Sequence, residues 1–134
     1  MLRYMLDTNF CIHILRERPG QLRSRMNENA DTLCISTIVQ MELLQGAALS
    51  ARSDHNRQEV ERFCARLEIL PFDENAAAHA ADIRAMLQIQ GNKIGAYDAL
   101  IAGHARSQGL IVVTHNLREF MRVDGLRCED WQAA

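Results

Sequence analysis

A three-layer α/β fold around a parallel sheet is what the sequence predicts, and three observations carry that prediction. Short apolar runs alternate with segments of helical periodicity. The early runs lead into residues that cap helices well: Asp7, Ser36 and, after EILPF, Asp73. The run LIVVT, residues 110–114, is apolar and β-branched, as a strand covered on both faces should be.

Residues 2–6 form the first short run, and Asp7-Thr8 opens a helix in which Phe10, Ile12, Ile14 and Leu15 are the apolar positions. Pro19-Gly20 stops it, and a small amphipathic segment follows over residues 21–29. LCI, residues 33–35, is a second strand entering a helix over residues 36–49, where Ile38, Val39, Leu43 and Ala47 lie on a broad apolar face. A polar helix over residues 53–67 leads to EILPF, and an alanine-rich helix then runs from Asp73 to about residue 90 and ends at Gly91. After the loop GNKIG a helix covers residues 96–107, Gly109 ends it, and LIVVT is the next strand. Residues 115–131 read as turn-rich with one short strand near Cys128.

The chain's 134 residues suit one domain over 1–134. A net charge of −2 excludes an indiscriminate polycationic nucleic-acid coat. No apolar run approaches the roughly 20 residues of a membrane span, and MLRYMLDTN lacks the apolar core of a secretory signal, so the expected location is cytoplasmic, with no membrane partner. Cys11, Cys34, Cys64 and Cys128 are scattered without a CxxC pair, as reduced thiols would be. The histidines form no HExxH pair, so any metal present should be held by oxygen. Of 15 basic residues all but Lys93 are Arg, a bias that suits phosphate or carboxylate contacts and that also follows from genome composition.

In such a fold strand C-termini and helix N-termini share one sheet edge, where ligands bind. Asp7 ends the first strand, Glu42 lies in the second turn after the second strand, Asp98 in the first turn of the helix before LIVVT, and Thr114, Asn116 and Glu119 follow that strand. Asp98 shares a stripe with the apolar Ile101, Ala102 and Ala105, which turns it inward. Taken singly, Asp7 reads as a cap, Asp98 as a first-turn acid favoured by the helix dipole, and Glu42 and Glu119 as solvated acids. Thr8, Thr114 and Asn116 read singly as caps or turn residues. Their joint placement is what these readings do not explain. Converging carboxylates repel unless one stays protonated or a hard cation such as Mg²⁺ or Mn²⁺ neutralises them.

YMLDTN, ISTIVQMELLQG, IGAYDALIAGHA and VVTHNLREFMRVDGL together resemble, in order and spacing over residues 2–131, a PIN domain of the VapC type, the ribonuclease toxin of a toxin–antitoxin pair. The resemblance implies a mostly parallel five-stranded sheet between helix layers, and RNA cleavage dependent on Mg²⁺ or Mn²⁺. It implies tRNA as the target, with initiator tRNA cut near the anticodon in members with a similar IGAYD block. It assigns Asp7, Glu42 and Asp98 as metal ligands, with Glu119 as a fourth catalytic acid reaching the ion with Asn116 through water. Thr8 and Thr114 would orient carboxylates, and Lys93 would contact RNA. His115 departs from the family pattern, in which many relatives carry Asp or Asn where this chain has His115 and Asn116. A VapB-type antitoxin, a homodimer and a larger toxin–antitoxin complex are also implied, with Ile12, Leu15 and Leu22 as candidate lining of the antitoxin groove.

Two other readings stay open at this level. A phosphate-transfer enzyme would use Asp7 as nucleophile, although the second Asp of a haloacid-dehalogenase pattern is replaced by Asn9. A catalytically silent PIN-like domain would keep only antitoxin binding.

Overall fold

The structure, a computed structural model, describes residues 1–132, so the last two positions of the expected 1–134 domain lie outside the described residues. In chain order the elements are β1 (Tyr4–Leu6), α1 (Thr8–Glu17), α2 (Gly20–Glu28), a 3-10 turn (Ala30–Thr32), β2 (Leu33–Ser36), α3 (Thr37–Ala48) and α4 (Ser53–Ala65). There follow β3 (Glu68–Leu70), α5 (Glu74–Ile89), α6 (Ala96–Gln108), β4 (Ile111–Val113), α7 (Leu117–Phe120) and β5 (Arg127–Glu129). The elements not anticipated are the 3-10 turn and α7, of three and four residues, too short to show a helical period.

Every strand pair is parallel, in the order β3-β2-β1-β4-β5. β1 is therefore central, and chain order reverses between it and β4, the position at which open α/β sheets bind ligands. Composition follows position. Met5, Leu6, Val112 and Val113 are fully buried because helices cover both faces, whereas the edge strands β3 and β5 expose Glu68 and Arg127 and so resist edge pairing.

The alanine-rich α5 lies unusually close to α6, since a Cβ on Gly103 would stand 2.5 Å from the Ala80 nitrogen. Small residues on both helices allow this approach, and it seats Ile101, Ala102 and Ala105 against the sheet. Beneath it the fully buried His104 meets the Ser36 hydroxyl through Nδ1 at 2.8 Å. Burial holds the His104 imidazole below its ordinary pKa, against a smaller upward pull from Asp73.

Candidate active site

Three junctions build the site. At the end of β1 the Asp7 carboxylate caps α1, accepting from the Phe10 N–H at 2.8 Å, and is only 1% exposed. Burial raises its pKa, although the Thr114 hydroxyl and the Phe10 N–H both favour the charged form. Thr114, fully buried at the end of β4, also accepts the Asn116 N–H at 2.8 Å, which fixes the turn into α7.

At the end of β2, Ser36 caps α3 through the Ile38 N–H, and the next turn carries Glu42. The Thr8 hydroxyl donates to Glu42 Oε1 at 2.6 Å, tying the start of α1 to α3. Each of the two threonines thus bonds one acid.

The third junction is the loop before α6. Glu119 Oε1 accepts the Gly95 N–H at 2.6 Å, and Oε2 accepts from Asn116. Gly95 immediately precedes α6, and a Cβ there would stand 3.0 Å from Asp98 Oδ2 and 3.6 Å from Glu119 Oε1, so both acids lie close against this backbone. Burial, then Glu119, Asp7 and Glu42 in that order, push the Asp98 carboxyl up to about 6. The other three acids thus all lie within electrostatic reach of Asp98.

Among the described residues, no three His, Cys, Asp or Glu side chains form a closed ligand group. Each of three acids has its own donor: Asp7 is held by Phe10, Glu42 by Thr8, and Glu119 by Gly95 and Asn116. The donor set itself suits a hard divalent cation, being carboxylate oxygen with no Lys or Arg salt bridge to any of the four among the described residues.

Lys93 is exposed in the loop before α6, and its carbonyl accepts from Arg122 Nη1 at 2.9 Å. Arg122 escapes a sequence reading because it acts across 29 residues on a backbone atom. His115 packs edge-on to His13 with ring centroids 5.0 Å apart and lies 5.2 Å from the Phe10 ring, so it belongs to the wall beside Asp7, whose negative charge it favours.

The three candidate groove residues divide between core and groove. Leu22 is in the core and Ile12 packs against it, while Leu15 lines an open groove of about 560 Å³ between α1, α2 and α4 with Ile14, Met26 and Phe63. Arg18, Arg23, Arg62 and Arg66 also line it, and Glu59 pairs with both Arg18 and Arg62.

The PIN domain family matches residues 4–126. A protein of Salmonella typhimurium described as tRNA(fMet)-specific endonuclease VapC is 50% identical over 131 residues, covering 98% of this chain and 99% of its own. Ribonuclease VapC2 of Haemophilus influenzae is 48% identical over the same shares. The toxin–antitoxin assembly VapBC of Salmonella typhimurium, solved bound to DNA, contains a chain that superposes with a TM-score of 0.96 at 50% identity, over 98% of this chain and 99% of that one. VapBC2 of Rickettsia felis, bound to a promoter DNA fragment, superposes with a TM-score of 0.93 at 33% identity, over 97% and 99%. With the fold in common and half of the residues identical over nearly the full length, the chain belongs to the PIN domain family and to its VapC-type members.

Proposed function

We propose that this chain is an endoribonuclease toxin acting in the cytoplasm on tRNA, with tRNA(fMet), the substrate in the name of its Salmonella typhimurium relative, as the first candidate. The observation that carries the reading is the lifting of Asp98 to about 6 by burial and by Glu119, Asp7 and Glu42, acids that no Lys or Arg salt bridge neutralises among the described residues. Such an arrangement costs stability and suits a site that receives a cation and a phosphate.

Asp7, Glu42 and Asp98 would hold Mg²⁺ or Mn²⁺, with Glu119 and Asn116 reaching it through water because both Glu119 oxygens already accept hydrogen bonds. When bound, the ion supplies charge neutralisation at the phosphate and makes water more acidic. The protein's own part is orientation. Thr114 and the Phe10 N–H aim Asp7, Thr8 aims Glu42, and Glu119 pins the backbone from which Asp98 projects. Hydrolysis by water in line leaves a 5′-phosphate and a 3′-hydroxyl.

The same proposal seats the C-terminal segment of a VapB-type antitoxin in the groove between α1, α2 and α4, where apolar anchors would meet Ile14, Leu15 and Phe63 and acidic groups would meet the arginine rim. A homodimer belongs to it through the family resemblance, and sedimentation of the antitoxin-free chain tests that part.

The test of activity incubates antitoxin-free protein and its Asp7→Asn variant with total tRNA, with Mg²⁺ or EDTA, and maps the new ends. Cleavage at one site with 5′-phosphate ends, lost with EDTA and in the variant, supports the reading. Cyclic-phosphate ends, or equal cleavage by both proteins, overturn it.

A further inference from the structure

Four carboxylates repel a polyanion, so the acid rim cannot by itself hold an RNA strand. The side chains suited to that task lie next to it. Among the described residues Tyr97 is the one exposed Phe, Tyr or Trp, at 46%, the others being buried or half-buried. Among the described residues no ring stack, cation–π contact or hydrogen bond engages it. It sits in the first turn of α6, one residue before Asp98.

The backbone beneath it is anchored twice, by the Gly95 N–H on Glu119 and by Arg122 on the Lys93 carbonyl. The ring is thus carried by a fixed helix start. Lys93 and Arg118, on the two segments that this latch joins, are exposed and enter no salt bridge among the described residues. An unused ring on a rigid support, flanked by free cations, is the chemistry that recognises single-stranded nucleic acid: a flat face for a base and positive charge for the phosphates on either side.

We propose that Tyr97 is a stacking platform for one unpaired base of the RNA beside the scissile phosphate, with Lys93 and Arg118 neutralising the neighbouring phosphates; this rests on the ribonuclease reading above. Because any base offers a π face, the platform selects for an unpaired position more than for base identity, which confines cleavage to loops.

The experiment uses one labelled RNA stem–loop carrying the mapped cleavage site. Its binding to the antitoxin-free wild type, Tyr97→Ala, Tyr97→Phe and Tyr97→Trp is measured by fluorescence anisotropy in EDTA, and its cleavage kinetics in Mg²⁺. The expected result is that Tyr97→Ala weakens binding and raises KM roughly ten-fold with kcat within about two-fold, that Phe behaves as wild type, and that Trp binds at least as tightly. Wild-type binding and KM in Tyr97→Ala, with cleavage intact, overturn this proposal alone. If Tyr97→Ala misfolds, the Trp and Phe variants decide: weakened RNA binding in both overturns it. A loss of antitoxin binding without a loss of RNA binding assigns the ring to the protein partner and also overturns it. A wild type that neither binds nor cuts RNA brings down the ribonuclease reading as well.

Discussion

Two aspartates end apolar runs and cap helices in almost the same way. Asp7 accepts the Phe10 N–H at 2.8 Å, and Asp73 accepts the Ala76 N–H at 2.9 Å. Their surroundings differ completely. Asp73 follows the edge strand β3 and is exposed, whereas Asp7 follows the central strand β1, is 1% exposed and feels Glu42. A central junction has neighbouring junctions on both sides, so the same local motif that only starts a helix at the edge becomes part of a shared charge cluster in the middle. Position in the sheet, and not the cap, separates the two.

The largest expected effect sharpens that contrast. Asp7→Asn, which keeps a capping acceptor and removes the charge, should lower tRNA cleavage by more than about 100-fold, beyond the roughly 10–100-fold that outer hydrogen-bonding partners contribute at metal sites. Asp73→Asn should leave cleavage within about two-fold. Comparable losses in both, measured as initial rates on one tRNA, would break the comparison.

Smaller, and in the same direction, is the effect on the outer partners. Thr8→Val removes the hydroxyl that bonds Glu42 and should cost roughly ten-fold in rate, visible as a higher Mg²⁺ requirement in a metal titration. Thermal unfolding then separates capping from charge. Asp73→Ala should lose about 1 kcal/mol, or a Tm drop of roughly 4 °C, because its exposed carboxylate caps α5 and joins no acid cluster. Asp7→Asn should hold or raise the Tm at pH 7, since a buried acid with a raised pKa is unfavourable when ionised.

The subtlest test is pH. The Asp98 carboxyl titrates near 6 in the folded chain against 3.8 when free, so the folded state binds the proton more tightly. Its contribution to stability is therefore complete below about pH 4 and lost as pH rises through about 6. Replacing Asp98 by Asn should flatten that part of the stability profile and, at pH 7, raise the Tm by roughly 2–4 °C, while Asp73→Asn should leave the Asp98 titration in place. Added Mg²⁺ should raise the wild-type Tm and do so less in Asp98→Asn.

Much of this architecture was legible along the chain because the signals are local. Asp7, Ser36 and Asp73 each cap the helix they precede, and YML, LCIS and IVV are apolar because helices cover both faces of their strands. The inward turn of Asp98 follows from its stripe with Ile101, Ala102 and Ala105, all of which are fully buried. Other features are invisible at that range. The short α7 has no period to detect, Leu22 and Leu15 read alike although one is core and the other lines a groove, and Arg122 acts on a loop 29 residues away.

The sequence by itself determined the alternation of strands and helices, the caps, the identity of the acids and the family to which they belong, because backbone sterics, capping hydrogen bonds and burial period act within a few residues. Only the tertiary structure decided which cap joins a charge cluster, which acid is lifted in pKa, and which hydroxyl or backbone N–H holds each carboxylate. Those outcomes depend on burial and on charges brought together from separate junctions, and Coulomb interactions and desolvation follow distance in space, not distance along the chain.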